Sequence, residues 1–114
     1  GMLDKAFEQW KRLVELAPED PGIHFVFGSY CFEKQMWSLA EKSLQKCVAI
    51  NAADSSARLK LAQTLQRMGR YDEAEKQALL AQKIGHPEAQ SALDSIAFER
   101  KLKPALAADR SPKN

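Results

Sequence analysis

The sequence predicts an all-α, right-handed solenoid built from about two and a half helical hairpins and a capping helix. One observation is an internal period of 34 residues: residues that lie 34 positions apart form a column, and the members of one column share their size and polarity. The large column is Leu3, Trp37 and Tyr71, and the small column is Ala6, Ala40 and Ala74. A period of this length is typical of stacked copies of one supersecondary unit. The other observation is that apolar residues recur at helical spacing and nowhere alternate with period two over a useful length.

The first break in the helical pattern separates a leading helix from a second one. The leading helix spans residues 3–17 and carries an apolar stripe that includes Phe7, Trp10 and Val14. It ends at a segment rich in proline, glycine and acidic residues, residues 17–22. Asp20 is placed to cap the second helix, residues 21–35. Pro21 then stands at the first helical position, where its missing N–H has no intrahelical partner to lose.

Four more helices follow, and capping or helix-breaking residues separate them in the same way. The third covers about residues 37–50 and the fourth residues 55–68, with Asp54 or Ser55 as the N-cap between them. Gly69 is expected to end the fourth helix in the left-handed conformation. The fifth helix covers residues 71–84 and the sixth residues 87–102. From Pro104 onwards the composition turns to small, polar and charged residues, which predicts a fraying tail.

These elements divide the chain into one helical repeat domain, residues 2–102, and a basic flexible tail, residues 103–114. Within the domain we expect a half repeat at residues 2–18 and full repeats at residues 21–54 and 55–88. Residues 89–102 then form a capping helix, whose polar side suits the solvent-facing end of a stack.

The chain resembles the tetratricopeptide repeat (TPR) family, whose 34-residue signature begins W-x2-L-G-x2-Y and continues A-x3-F. The run from Gly69 to Ala74 is the strongest local match, and Phe27 and Gly28 stand at the Leu and Gly positions of the first full repeat. The resemblance covers about residues 3–102. It implies a stack in which the first helix of each repeat lines a concave groove that binds a segment of another protein.

Composition excludes several classes of protein. The 114 residues carry a net charge of only +2, far from the excess expected of a nucleic-acid binder. No apolar run is long enough to cross a membrane, and charged residues interrupt the N-terminal segment where a signal peptide would need an apolar core. We therefore expect a cytoplasmic protein. Cys31 and Cys47 both fall at buried helical positions, which indicates two reduced thiols, with a disulfide as the alternative.

The sequence offers little for catalysis, and we predict that the protein is not an enzyme. His24 lies in the apolar stripe of the second helix and His86 lies in a turn, so we assign both to structural roles. Asp72, Glu73 and Glu75 lie in the first turn of the fifth helix, where carboxylates favour the helix dipole. No nucleophile, phosphate-loop or metal-binding motif is present, and we expect no cofactor and no metal ion.

The expected function is that of a scaffold or adaptor that binds a protein or peptide segment. The resemblance places the partner-binding surface on the first helices of the two full repeats: Phe25, Ser29, Phe32, Leu59, Lys60, Gln63, Gln66 and Arg67. It adds a contribution from Leu93 and Asp94 of the sixth helix. This groove is aromatic at one end and polar and basic at the other, which suits an amphipathic helix or an extended segment with an apolar anchor and acidic residues.

Two alternatives remain open. The chain begins with the second helix of a repeat, so apolar residues such as Phe25 and Phe32 on the next helix lack their usual cover. In the first alternative, a second copy of the chain supplies this cover, and the protein is a self-associating module that dimerises through the exposed face of its incomplete N-terminal repeat. The other alternative uses the basic residues between Arg100 and Asn114 to contact phosphate, as a nucleic-acid-associated domain does, and we regard it as the weaker one.

Overall fold

Six α-helices and no strand make up residues 2–109, the part of the chain that the computed structural model describes. The helices are α1 (Met2–Leu16), α2 (Pro21–Glu33), α3 (Trp37–Ile50), α4 (Ser55–Arg67), α5 (Tyr71–Ile84) and α6 (Ala89–Asp109). They pair as the hairpins α2–α3 and α4–α5, with α1 before them and α6 after them. The predicted all-α solenoid of helical hairpins is confirmed.

Two aspartates begin the first helices of the two hairpins. The Asp20 carboxylate accepts hydrogen bonds from the backbone N–H groups of Gly22, at 2.9 Å, and Ile23, at 3.3 Å, and Pro21 follows it as the first helical residue. The Asp54 carboxylate accepts from the N–H of Ala57 at 3.0 Å. Because each carboxylate satisfies backbone donors that have no partner inside the helix, the sequence determines where both helices start.

The turns inside the hairpins share one left-handed position. Gly69, between α4 and α5, has φ of 77°, as predicted. The equivalent residue one repeat earlier is Gln35, which has φ of 61° although it carries a β-carbon. A left-handed conformation costs a residue other than glycine about 1–2 kcal/mol. The first hairpin therefore accepts local strain to keep the same turn.

The last helix is longer than the sequence predicted. It continues to Asp109, past the predicted end at residue 102, with Pro104 inside it. Pro104 removes the hydrogen bond to the carbonyl of Arg100, but the alanines and leucine that follow it have strong helix propensity. The Lys103 ammonium also lies 5.5 Å from the centre of the Tyr71 ring, which anchors this turn to α5. The fraying predicted to begin at residue 103 is thus wrong as far as residue 109, and residues 110–114 lie outside the described residues.

Small residues allow the helices of each hairpin to approach closely. A β-carbon added to Gly28 of α2 would lie 2.9 Å from Cγ of Leu44 in α3, closer than real side chains pack. The equivalent residues one repeat later are Ala62 and Ala78, and both are fully buried. One hairpin thus pairs glycine with leucine and the next pairs alanine with alanine, so each contact has at least one small residue that lets the helices approach.

The stack curves towards its first helices. The backbone of α2 contacts α4, and α4 contacts α6, whereas the second helices α1, α3 and α5 do not contact one another within the described residues. The side formed by α2, α4 and α6 is therefore concave and the opposite side is convex. The molecule is a slab of 58 × 38 × 18 Å, two helices thick.

Enlarging a small buried residue should destabilise this stack. Ala40 and Ala74 are fully buried, so we expect Ala40→Leu and Ala74→Leu each to lower the free energy of unfolding by roughly 1–3 kcal/mol through overpacking. Urea unfolding measures the change. Ala49→Leu on the exposed side of α3 is the control and should leave stability nearly unchanged. Core variants as stable as this control would disprove the repeat register.

The two cysteines should be unreactive in the folded protein. Both are free and fully buried. Burial raises the pKa of each thiol to about 11, and the Asp54 carboxylate, 3.7 Å from Cys47 Sγ, adds to the shift at Cys47. At pH 8 the reactive thiolate is then scarce, and we expect iodoacetamide to alkylate neither thiol in an hour, but both within minutes in 8 M urea. Mass spectrometry measures the labelling, and rapid alkylation without urea would contradict the predicted burial.

Candidate functional site

The concave side holds two adjoining cavities between α4 and α6 that form one groove. One cavity has a volume of about 350 Å³ and reaches α2, with its lining formed by Phe32, Gln63, Gln66, Arg67, Ser95 and Glu99. The other has a volume of about 240 Å³ and shares Gln63, Gln66 and Ser95 with the first. Its remaining lining is Glu88, Ser91 and Ala92. A single groove along the inner face of the stack follows from these shared residues.

A hydrogen bond between two helices forms the floor of the groove. Nε2 of Gln66 in α4 donates to Oγ of Ser95 in α6 at 2.9 Å, and Gln66 is only 7% exposed. Because a buried side-chain amide needs a partner, this bond fixes the rotamer of Gln66 and the spacing of α4 and α6. The groove is thereby held open before any ligand enters.

The α2 end of the groove combines an aromatic ring with positive charge. The Phe32 ring packs against Trp37 edge to face, with 5.3 Å between ring centres. Nζ of Lys60 lies 4.6 Å from the centre of the Phe32 ring, a cation–π distance. Arg67 is exposed at the same end. An apolar side chain with a neighbouring carboxylate would find complementary contacts here.

The α6 end of the groove is acidic, which the sequence analysis did not foresee. Glu99 lines the first cavity and accepts a long hydrogen bond of 3.5 Å from the Tyr71 hydroxyl, and Glu88 lines the second cavity. The groove thus runs from positive charge beside α2 to negative charge on α6. The sequence predicts a groove that is aromatic at one end and polar and basic at the other, whereas the structure places Phe32, Lys60 and Arg67 at the same end and carboxylates on α6.

The structure brings five of the eight predicted binding residues together. Phe32, Gln63, Gln66 and Arg67 line the same cavity, and Lys60 lies against Phe32. Binding of a partner by these residues stays a prediction. Their convergence is nevertheless a property of the folded chain, because they come from two different helices.

The other three predicted residues do not line this groove. Leu59 is 6% exposed and belongs to the core cluster between α4, α5 and α6, against which Phe25 and Leu93 pack. Neighbouring first helices contact one another at these positions, so Leu59 is buried and Phe25 is half-buried. Binding of a partner by either residue stays a prediction. Ser29 is half-buried, its hydroxyl has no hydrogen-bond partner, and it lines neither cavity.

Sequence reasoning missed Ser95 and Glu99 of α6, although a signal was present. The columns that hold them are apolar in the full repeats: Phe27 and Leu61 precede Ser95, and Cys31 and Leu65 precede Glu99. Those apolar residues are buried within their hairpins. Polar residues at the same positions of α6 therefore mark a face that no helix covers. Asp94, expected in the groove, instead accepts a hydrogen bond from Gln90 at 3.0 Å.

The histidines take structural positions, as predicted. His24 is 5% exposed, and its Nε2 lies 2.7 Å from the carbonyl oxygen of Pro18. His86 Nδ1 accepts from the backbone N–H of Glu88 at 3.1 Å and so orders the turn before α6. Within residues 2–109, no three or more His, Cys, Asp or Glu side chains are grouped as metal ligands.

The carboxylates that open α5 pair with arginines. Arg100 of α6 contacts Asp72 and Glu75, each at 3.2 Å. Arg70 contacts Glu73 at 2.6 Å and Glu41 of α3 at 2.8 Å, which lowers the pKa of Glu73. These pairs join α5 to both neighbouring helices. Arg100, counted in the basic tail from the sequence, therefore faces two carboxylates.

Comparison with solved structures shows what this architecture is similar to. MamA matches with a TM-score of 0.81 and 23% identity over 91% of this chain and 62% of MamA. The Yersinia enterocolitica type III secretion chaperone SycD, in complex with a peptide of the translocator YopD, matches with a TM-score of 0.76 and 21% identity over 88% of this chain and 83% of SycD. The first TPR of Spaghetti (RPAP3), bound to the HSP90 peptide SRMEEVD, matches with a TM-score of 0.77 and 21% identity over 94% of this chain and 82% of that chain.

The chain has a TPR-like fold. The two hairpins and α6 of this TPR-like domain correspond to the repeats read from the 34-residue period, and the predicted resemblance is confirmed at the level of the fold. No protein-family model matches the sequence, and no curated protein matches it. The domain spans 62% of the length of MamA. None of its described helices has both the length and the apolar character needed to cross a bilayer.

Proposed function

We propose that this TPR-like domain is a non-enzymatic protein-interaction module that binds a peptide or helix of a partner in its concave groove. The observation that carries the proposal is the continuous groove with Phe32 and Lys60 at one end and Glu88 and Ser91 at the other. Side chains from α2, α4 and α6 converge on it, and the bond between Gln66 and Ser95 orders its floor. A groove that is already ordered loses little entropy when a segment binds.

The charges of the groove indicate the chemistry of the segment. An apolar side chain would pack on Phe32, and a neighbouring carboxylate would lie between Lys60 and Arg67. Towards α6, the polar lining offers hydrogen bonds to a peptide backbone at Ser91 and Ser95. Glu88 and Glu99 would repel a second acidic group there. We infer a segment whose acidic residue lies at one end only.

The similar structures support a role in binding proteins. SycD is bound to a peptide of YopD, and the first TPR of Spaghetti (RPAP3) is bound to a peptide of HSP90. Those ligands belong to those proteins. For this domain we propose only the same kind of function, a scaffold or adaptor. Its two free, buried thiols favour a reducing compartment, so we also propose a cytoplasmic location.

Selection of peptides from a random library displayed on phage tests the groove. We expect the immobilised domain to enrich sequences in which an apolar residue neighbours Asp or Glu, because Phe32 and Arg67 offer complementary contacts. Arg67→Glu should weaken binding of an enriched peptide about tenfold or more, since like charges then face each other across the interface. Fluorescence anisotropy measures the affinity.

A charge reversal on the opposite side of the slab provides the matched control. Lys76 is exposed on α5, a second helix, so Lys76→Glu changes net charge by the same amount outside the groove. Peptide affinity should stay within about twofold of the wild type for this variant. Equal effects of Arg67→Glu and Lys76→Glu, or enrichment of peptides without acidic residues, would refute the groove as the binding surface.

Self-association is the second candidate function, and an exposed apolar stripe on α1 favours it. Phe7, Trp10 and Val14 of α1 pack against the core cluster of α2 and α3, whereas Phe25 packs against the cluster that contains Leu59 of α4. On α1 itself, Leu13 is 40% exposed and Leu16 is 72% exposed. Their spacing of three residues places them on one side of the helix. A second copy of the chain could bury this stripe.

Sedimentation equilibrium tests self-association. If α1 mediates a dimer, Leu13→Ser with Leu16→Ser should raise its dissociation constant at least tenfold, because two leucine side chains lose their apolar contact. Leu79→Ser is the matched control, since Leu79 is 48% exposed on α5. A wild-type protein that stays monomeric at millimolar concentration, or a control variant with the same effect, excludes this function.

A further inference from the structure

A third cavity lies on the convex side, between α1 and α3 and above α2, with a volume of about 370 Å³. Its walls are mainly apolar, and the apolar lining residues are Phe7, Val14, Phe27 and Leu39. The rings of Phe7 and Phe27 lie 5.7 Å apart at an angle of 43°, which leaves an aromatic surface facing the space. The volume is within the range of small-molecule sites. This cavity is separate from the concave groove and shares no residue with it.

The second repeat shows how the chain fills the equivalent space. Arg58, one repeat after His24, donates from Nε to the carbonyl oxygen of Ala52 at 2.9 Å and from a terminal nitrogen to Oε1 of Gln77 at 2.9 Å. Ala52 and Gln77 are themselves one repeat after Pro18 and Ser43. In the first repeat, His24 makes the equivalent hydrogen bond to Pro18. Ser43 occupies the position of Gln77, but its side chain is shorter and forms no bond to His24. Two smaller side chains therefore open the cavity.

His24, which lines this cavity, has one buried hydrogen-bonding atom without a partner in the described residues. Because the carbonyl oxygen of Pro18 can only accept, Nε2 of His24 carries the proton of their 2.7 Å bond. In the neutral ring Nδ1 is then an acceptor, and it is buried with no hydrogen-bond partner. His24 is 5% exposed and lines the cavity, as does Ser43. A buried acceptor of this kind calls for a donor.

The rim of the cavity carries positive charge. Its charged lining residues are Lys11, Lys42 and Glu15, all exposed, with a net charge of +1. Within the described residues neither lysine forms an ion pair. Two unpaired ammonium groups beside an apolar space complement an anionic group at the cavity mouth.

We propose that this cavity binds a small aromatic carboxylate that carries a hydroxyl donor. The aromatic body packs between Phe7 and Phe27, the hydroxyl donates to Nδ1 of His24, and the carboxylate lies between Lys11 and Lys42. Each chemical group of the ligand complements one observed feature of the cavity. The site does not depend on the proposed peptide groove, which lies on the opposite side of the slab.

Titration with 3-(4-hydroxyphenyl)propanoate tests the proposal, with two-dimensional NMR of the full chain as the readout. We expect saturable shifts of amides that surround the cavity, such as those of Phe7, His24 and Ser43, and unchanged amides at Gln63 and Gln66. The analogue without the hydroxyl should bind about three- to tenfold more weakly, and the analogue without the carboxylate about two- to fivefold more weakly.

The second repeat supplies the decisive variant. His24→Arg with Ser43→Gln installs the pair that already packs as Arg58 and Gln77, so the chain should fold, keep its thermal midpoint and lose ligand binding. Lys42→Gln changes only an exposed rim charge and should weaken the carboxylate about two- to fivefold without affecting 4-propylphenol. Absence of saturable binding, binding by the filled variant, or equal binding of all three ligands would overturn the proposal.

Discussion

The close contact between the two helices of each hairpin is the constraint on which the rest of the structure depends. Gly28 lies so near Leu44 that no β-carbon fits between them. At this separation α2 and α3 present the apolar rows into which the neighbouring helices pack. The next hairpin has the fully buried residues Ala62 and Ala78 at the same two positions. The curvature of the stack, and hence the existence of a concave groove, follows from repeating such hairpins.

Differences between the repeats create the candidate sites. Repeat positions that keep the same size and polarity hold the stack together, as the fully buried Ala40 and Ala74 do. Repeat positions at which size or polarity changes leave a cavity or an uncovered face. Ser95 replaces an apolar residue and leaves the inner face of α6 uncovered, whereas His24 and Ser43 replace the arginine and glutamine that fill the equivalent cleft. One repeated scaffold thus supports two chemically different surfaces on opposite sides.

The sequence predicts the fold far better than the sites. The period, the caps at Asp20 and Asp54 and the left-handed Gly69 are local signals, and each determines an element boundary. Exposure is not local. Leu59 was expected in the groove because its position in the repeat is open in the family, yet contact between adjacent first helices buries it. The continuation of α6 through Pro104 combines the helix propensity of the residues that follow it with contacts to α5, and only the propensity can be read within α6.

A slab only two helices thick has a large boundary for its mass. For the same volume, a thin slab has more surface than a compact, rounder molecule and buries a smaller fraction of its apolar area. Its shape therefore gives up some of the stabilisation that a rounder molecule would gain from burial. In return, the slab offers two broad sides, one with the concave groove and one with the cavity between α1 and α3. Under the two proposals, one domain holds a partner segment and a small molecule on opposite sides, where they do not contact each other.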